Sequence, residues 1–192
     1  MKEPLKLKNV LNLNTFFSIN DELRNYARWS MTNYSDGSYS KDIAWGIEGY
    51  EKRDLVYLNA ASIIKLKICK HIKKDLKLIR IHFNGQTCGQ GSEFHNDFDP
   101  EEFYTFILFT NTSWDTNWGG EFICLNPHTN EYDYTPYVPN TGVCIPSYWS
   151  HTGASPNNNT QEMRTTMAFS FIEPAYLSQY KLSENCQKFL NL

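Results

Sequence analysis

The spacing of apolar residues changes near position 78, and that change narrows the architectures open to this chain. Before it, apolar positions recur at helical intervals; after it, they fall in short runs broken by Gly, Asn and Pro. The runs 78–83, 103–109, 121–125, 142–145 and 165–172 are rich in Ile, Phe, Val and Thr, and each is about the length of one strand. Short strands separated this evenly by turns favour two antiparallel sheets closed on each other as a sandwich or jelly roll. In the first part, Asp21 to Met31 reads as a short helix capped by Asn20 or Asp21. Leu55 to Leu76 reads as a longer helix with Leu55, Leu58, Ile64, Ile68 and Ile72 along one stripe, so that Lys65, Lys67, Lys70, Lys73 and Lys74 fall largely toward solvent. The expected fold is therefore α+β but mainly β, a small cupin-like barrel whose N-terminal helices buttress one sheet. The aromatic and Gly-rich stretch Tyr34 to Tyr50 reads as loop and irregular strand, serving packing before any role as a lid.

Length sets a second bound. With 192 residues, 41% of them hydrophobic, the chain fills one core and leaves no room for a second sizeable domain. The expected division is helical support over 1–77, a β core over 78–177 and a C-terminal tail over 178–192. Basic and acidic residues nearly cancel, 18 against 21, which argues against a nucleic-acid partner. No stretch approaches the roughly 18 consecutive apolar residues of a membrane span, and the first residues lack the apolar segment of a signal peptide. The expectation is a cytoplasmic protein (host cytoplasm for a viral chain), monomer or homodimer, with no membrane partner. Cys69, Cys88, Cys124, Cys144 and Cys186 are odd in number and form no CxxC pair, which suits reduced core thiols.

Chemistry concentrates in the run Ser92-Glu93-Phe94-His95-Asn96-Asp97. On extended backbone an imidazole and a carboxylate two residues apart point to the same face. The pair alone is weak evidence, because five histidines and nine aspartates supply such a spacing by chance with a probability of about 0.2. A remote segment strengthens it: Gly142 to His151 supplies a second imidazole, and Arg164 follows in the strand-like run Arg164-Thr165-Thr166-Met167-Ala168-Phe169-Ser170. Two imidazoles and one carboxylate on one face of a metal leave positions open, the facial arrangement of non-haem Fe(II) oxygenases, whereas zinc favours a closed or nearly closed tetrahedron. The planar fork of Arg164 suits a carboxylate anchor, and Thr166 on the same strand face adds a hydroxyl. The acidic run 97–102 is not a calcium loop, since Glu102 stands where an EF-hand needs glycine. His71 and His128 read as solvent-facing, Gly119-Gly120 as a sharp turn, and Trp114, Trp118, Tyr148 and Trp149 as core aromatics before they are pocket walls.

From Leu78 to Leu177 the sequence resembles the Fe(II)- and 2-oxoglutarate-dependent dioxygenases, and within them the prolyl-4-hydroxylase-like branch, especially its short bacterial and phage members. The resemblance is carried in order by Arg80-Ile81-His82-Phe83-Asn84 before Gly85, Gly89 and Gly91, by His95-x-Asp97, and by Thr105 to Asn111. It continues through Trp118-Gly119-Gly120-Glu121-Phe122, Gly142 to His151 and Arg164-x-Thr166. It implies a double-stranded β-helix core, Fe(II) on His95, Asp97 and His151, and 2-oxoglutarate held at its distal carboxylate by Arg164, with O2 as the second cosubstrate. Where the family often carries a tyrosine that helps hold 2-oxoglutarate, this chain has His82, which becomes a donor in its place. The implied activity is hydroxylation of a C–H bond with release of succinate and CO2, on a prolyl or other side chain of a protein or peptide. Two alternatives stand beside it: a hydroxylase of a free amino acid or small metabolite, and, in another class, a non-catalytic cupin-like binding or structural jelly-roll protein. A nucleic-acid demethylase is disfavoured, since no second arginine follows Arg164 on its strand.

Overall fold

The computed structural model describes residues 1–31, 45–47, 55–183, 186–187 and 190. Most of the stretch 34–50 lies outside the described residues, except for the strand within it. Among the described residues ten strands form two antiparallel sheets. They are β1 (Leu5–Leu7), β2 (Trp29–Met31), β3 (Trp45–Ile47), β4 (Lys77–Gln86), β5 (Phe103–Phe109), β6 (Phe122–Asn126), β7 (Glu131–Thr135), β8 (Gly142–Pro146), β9 (His151–Gly153) and β10 (Arg164–Ile172). The major sheet runs β1-β8-β5-β10-β4-β3-β2 and the minor sheet β7-β6-β9. The expected β core with a helical buttress is what the chain builds. The five strands read from composition are all present, while β1, β2, β3, β7 and β9 are short strands that pairing, rather than propensity, holds extended.

Two helices, α1 (Leu13–Asp21) and α2 (Leu55–Ile72), lie against one face of the major sheet. Tyr57, Ala60, Ala61, Ile64 and Ile68 form the buried stripe of α2, spaced at helical intervals. They join Ile81, Phe83, Phe106, Leu108, Cys144, Met167 and Phe169 of the sheet in one cluster. Leu55, expected in that stripe, is exposed at the helix start. The lysines of this region sit as expected at or near the surface, and two form ion pairs: Lys65 pairs with Asp75 at 3.1 Å and Lys74 with Glu173 at 2.6 Å.

The first helix corrects the sequence reading. It begins at Leu13, with Asn12 Oδ1 accepting from the Thr15 amide at 2.9 Å, and ends at Asp21, followed by one wide turn over Glu22–Tyr26. Trp29–Met31, expected to be helical, is strand β2. Two forces override local propensity here. Phe16, Ile19 and Leu23 bury one stripe against the sheet, and β2 pairs with β3, extending the sheet beyond β4. Asn20 caps nothing and instead donates to the Thr110 carbonyl at 3.0 Å.

The opposite face of the major sheet meets the minor sheet. Ile107, Phe109, Val143, Ile145 and Ala168 from one side pack with Phe122 and Cys124 from the other, and Trp114 and Trp149 are buried among them. These tryptophans are core, with Trp118 and Tyr148 packed at the edge of the same cluster. All five cysteines are free thiols; Cys124, Cys144 and Cys186 are buried, whereas Cys88 is exposed and not part of the core. The C-terminal segment is likewise anchored, since Leu182 and Cys186 are buried against Ile79, Phe103 and Ile172. Among the described residues no helix is long and apolar enough to cross a membrane.

Ile64 sits fully buried between α2 and the sheet. Ile64→Ala should lower unfolding free energy by about 3 kcal/mol, read as a fall in the urea midpoint at unchanged slope.

Candidate metal and anion site

Strand alternation aims a row of polar side chains into the space between the sheets. On β4, Ile79, Ile81 and Phe83 are buried on one face, while Arg80, His82, Asn84 and Gln86 project from the other. On β10, Arg164, Thr166 and Ala168 face the same way, paired across the ladder with Gln86, Asn84 and His82. These residues line a cavity of about 310 Å³ together with His95, Asp97 and His151. The structure thus brings all six residues singled out from sequence into one space.

At one end the two histidines are locked together by backbone. His95 and His151 form an antiparallel bridge, with the His95 amide 3.0 Å from the His151 carbonyl and the reverse bond 2.8 Å. Paired residues of this kind present side chains on one face, and the rings lie 4.6 Å apart, centroid to centroid. Each ring is turned by a carbonyl: His95 Nδ1 lies 2.9 Å from Glu93 O, and His151 Nδ1 2.9 Å from Trp149 O. A carbonyl only accepts, so in both rings Nδ1 carries the proton and Nε2 is left as a free electron pair. With a carboxylate oxygen of Asp97, the donor atoms of His95 and His151 lie within 4.8 Å of one another, close enough to share one metal ion.

Asp97 is held as firmly. Its amide donates to the Ser147 carbonyl at 3.0 Å, Arg80 Nη2 binds Oδ1 at 2.9 Å, and the Thr105 hydroxyl donates to Oδ2 at 2.6 Å. Burial pushes this carboxyl up, but Arg80, the neighbouring imidazoles and the Thr105 hydroxyl outweigh it and bring it down to about 2. Burial in turn lowers His151 despite the attraction of Asp97, and lowers His82 to about 4 with help from Arg80. All three groups are therefore in their ligating or neutral forms near pH 7, and His82 faces the cavity as an uncharged imidazole.

At the other end Arg164 is 2% exposed. Nε donates to the Gly120 carbonyl at 2.8 Å and Nη1 to Gln86 Oε1 at 2.7 Å, while the guanidinium lies 5.2 Å from the centre of the Tyr137 ring. Two glycines make the slot: a Cβ on Gly120 would lie 3.0 Å from Arg164 Cδ, and one on Gly153 would lie 3.2 Å from both terminal nitrogens. Gly119 and Gly120 have φ of 75° and 85°, the sharp turn expected at this pair. Burial lowers the guanidinium to about 10, so it remains a cation. Among the described residues no carboxylate lies within ion-pair distance of it. A buried cation at the end of a cavity, held by two carbonyl oxygens and an aromatic ring with no carboxylate in ion-pair range among the described residues, can receive an anionic group.

Arg80, Thr105, Gln86 and Gly153 were not singled out as site residues by sequence reasoning. The signal for two of them is the alternation of Arg80, His82, Asn84 and Gln86 with apolar neighbours, which marks a strand whose second face is polar and covered. Thr105 is the one aliphatic hydroxyl in the otherwise apolar and aromatic β5. His71 and His128 are exposed and take no part.

The fold, two antiparallel sheets that enclose a His-Asp-His constellation and a buried arginine in one cavity, is similar to that of solved 2-oxoglutarate and Fe(II)-dependent oxygenases. A prolyl-4-hydroxylase from Pseudomonas putida superimposes with a TM-score of 0.67 at 14% identity, over 88% of this chain and 92% of that one. A prolyl hydroxylase from Trichoplax adhaerens, in complex with a peptide fragment of the hypoxia inducible factor oxygen degradation domain, gives 0.72 at 12% identity, over 95% and 89%. HygX from Streptomyces hygroscopicus, with nickel, 2-oxoglutarate and hygromycin B bound, gives 0.64 at 9% identity, over 89% and 83%. No protein-family model and no curated protein matches the sequence.

The lowered histidines make folding sensitive to mild acid. Below about 6.5 the unfolded chain takes up protons that folded His82 and His151 refuse, so stability is full above that value and falls as pH drops toward about 4, where His82 titrates in the fold. In metal-free protein, urea midpoints across this window should fall with pH, and His82→Gln should reduce the slope by close to one proton. An unchanged slope would show that His82 titrates normally.

Proposed function

We propose that this protein is an Fe(II)- and 2-oxoglutarate-dependent dioxygenase, residues 1–192 forming one catalytic domain, and that it hydroxylates a C–H bond of its substrate. The observation that carries the reading is the pairing, in one cavity, of two imidazoles fixed with Nε2 free beside Asp97 and a buried guanidinium that has no carboxylate within ion-pair distance among the described residues. His95, Asp97 and His151 would hold the iron. Arg164 would take the distal carboxylate of 2-oxoglutarate, with Thr166 on the same strand and His82 on the neighbouring β4 as further donors. Ile107, Phe122 and Ala168 line the same cavity and supply apolar wall for the methylene carbons. When bound, the iron and its cosubstrate supply the oxidation of a C–H bond to an alcohol, coupled to conversion of 2-oxoglutarate and O2 to succinate and CO2.

What this chain's own residues contribute is placement. The bridge between His95 and His151 sets two ligands by backbone, the polar cage around Asp97 sets the third, and the apolar walls exclude water from the interior. The favoured substrate is a prolyl or other side chain of a peptide. Two of the proteins of similar fold are prolyl hydroxylases, one of them in complex with a peptide, and exposed His95 and Asn96 lie at the edge of the cavity. A small-molecule substrate is the second reading, favoured by HygX with hygromycin B bound.

Anaerobic titration of metal-free protein with Fe(II) and then 2-oxoglutarate tests the assignment. The visible metal-to-ligand charge-transfer band of bidentate chelation should grow to one equivalent in the wild type and be absent in His95→Ala. Arg164→Ala should require at least about tenfold more 2-oxoglutarate, since it removes a buried charge partner. No band from folded wild-type protein would sink the oxygenase reading in favour of a cupin-like binder or a structural jelly roll.

A further inference from the structure

The two oxygens of Asp97 are held unequally. Oδ2 faces the imidazoles, 3.7 Å from His151 Nε2, and also accepts from the Thr105 hydroxyl. Oδ1 is bound by Arg80 Nη2 at 2.9 Å. Arg80 is itself fixed: it projects from the cavity face of β4, paired with Ser170, and its guanidinium lies 5.7 Å from the centre of the Phe98 ring. The Thr105 hydroxyl is a further 2.9 Å from Ser147 Oγ, so the carboxylate is set by a network fixed to three strands or strand ends.

We propose that Arg80 is a positioning residue that keeps Asp97 a single-oxygen metal ligand, an inference that rests on the metal-site reading above. A carboxylate beside an open metal site can rotate to bind through both oxygens, which would use a position that the cosubstrate or O2 needs. An oxygen engaged by a guanidinium does not turn toward a metal without giving up a charge-assisted hydrogen bond. With Oδ1 on Arg80, only Oδ2 points at the metal position, and three coordination places stay open. Thr105 takes one lone pair of Oδ2 and leaves the other free.

The same arrangement has an electrostatic sign. In metal-free protein Asp97 is already neutralised by Arg80, and a divalent ion must enter beside that fixed positive charge. Arg80 therefore weakens metal binding while it fixes the geometry. Its loss would leave a buried carboxylate unpaired, which a metal then relieves, and would free the second oxygen to chelate. Each effect points toward tighter metal binding by the variant, opposite to what a merely structural residue would give.

The test uses the full metal-free chain without cosubstrate. Mn(II) is titrated calorimetrically into wild type, Arg80→Met and Arg80→Lys, and crystal structures of the Mn(II)-loaded proteins give the Asp97 oxygen distances. Wild type should bind one Mn(II) through Oδ2 alone. Arg80→Met should bind it at least about tenfold tighter, through both oxygens, while Arg80→Lys, which keeps the charge, stays close to wild type. Equal or weaker binding by Arg80→Met, or both oxygens on the metal in wild type, would overturn the role of Arg80. Should Arg80→Met not fold, the wild-type structure and the lysine variant decide alone. A wild-type chain that binds no Mn(II) overturns the metal site itself and this inference with it, a result distinct from equal affinities.

Discussion

His95 and His151 exchange both of their backbone hydrogen bonds, and the rest of the site is built outward from that exchange. One residue comes from an irregular segment after β4, the other from the start of β9, so the bridge closes the open end of the barrel at the edge of the minor sheet. Once the pair is made, ladder geometry places both rings on one face and parity places Asp97 beside them. Glu93 and Trp149, each two residues before its histidine, then turn the rings with their carbonyls. Rings and carboxylate converge before any ligand arrives because backbone, rather than flexible side-chain torsions, has done the positioning.

The charges of the cavity are arranged as two unlike ends. Asp97 is an anion with a cation already attached, and Arg164 is a cation held by two carbonyl dipoles and the Tyr137 ring, with no carboxylate in ion-pair range among the described residues. Apolar Ile107, Phe122 and Ala168 line the cavity they share. Such a cavity suits a ligand that is chelating at one end, apolar in the middle and anionic at the other. The cost of burying Arg164 is kept tolerable by Gly120 and Gln86 and is offset fully only by an anion, which gives the cavity its preference.

The helices matter to this chemistry through rigidity. The stripe of α2 and the residues Phe16, Ile19 and Leu23 cover the face of the major sheet that the site does not use, including the apolar side of β4 and β10. Both strands therefore carry a packed apolar face and a polar face at once. That division fixes their register, since a one-residue slip would bury Arg80, His82 and Asn84 under the helices. The glycine turn at 119–120 and the small residue at 153 serve the same end by leaving the space that the Arg164 side chain occupies.

Much of this was legible in the residues: the change of texture at 78, the long helix, five of the strands, and the ordered set His95, Asp97, His151, Arg164, Thr166 and His82, all of which meet in one cavity. The first helix was misplaced because its stripe and the strand that follows it are set by contacts with distant partners, Thr110 and β3. The partnership of Arg80 with Asp97, of Thr105 with the same carboxylate, and of Gln86 with Arg164 was not legible at all. The sequence by itself determined which side chains share a face, because alternation along a strand is a local property of the backbone. Only the tertiary structure decided which of them meet across the sheets, because strand order and register follow from the burial of many residues together and no local spacing encodes them.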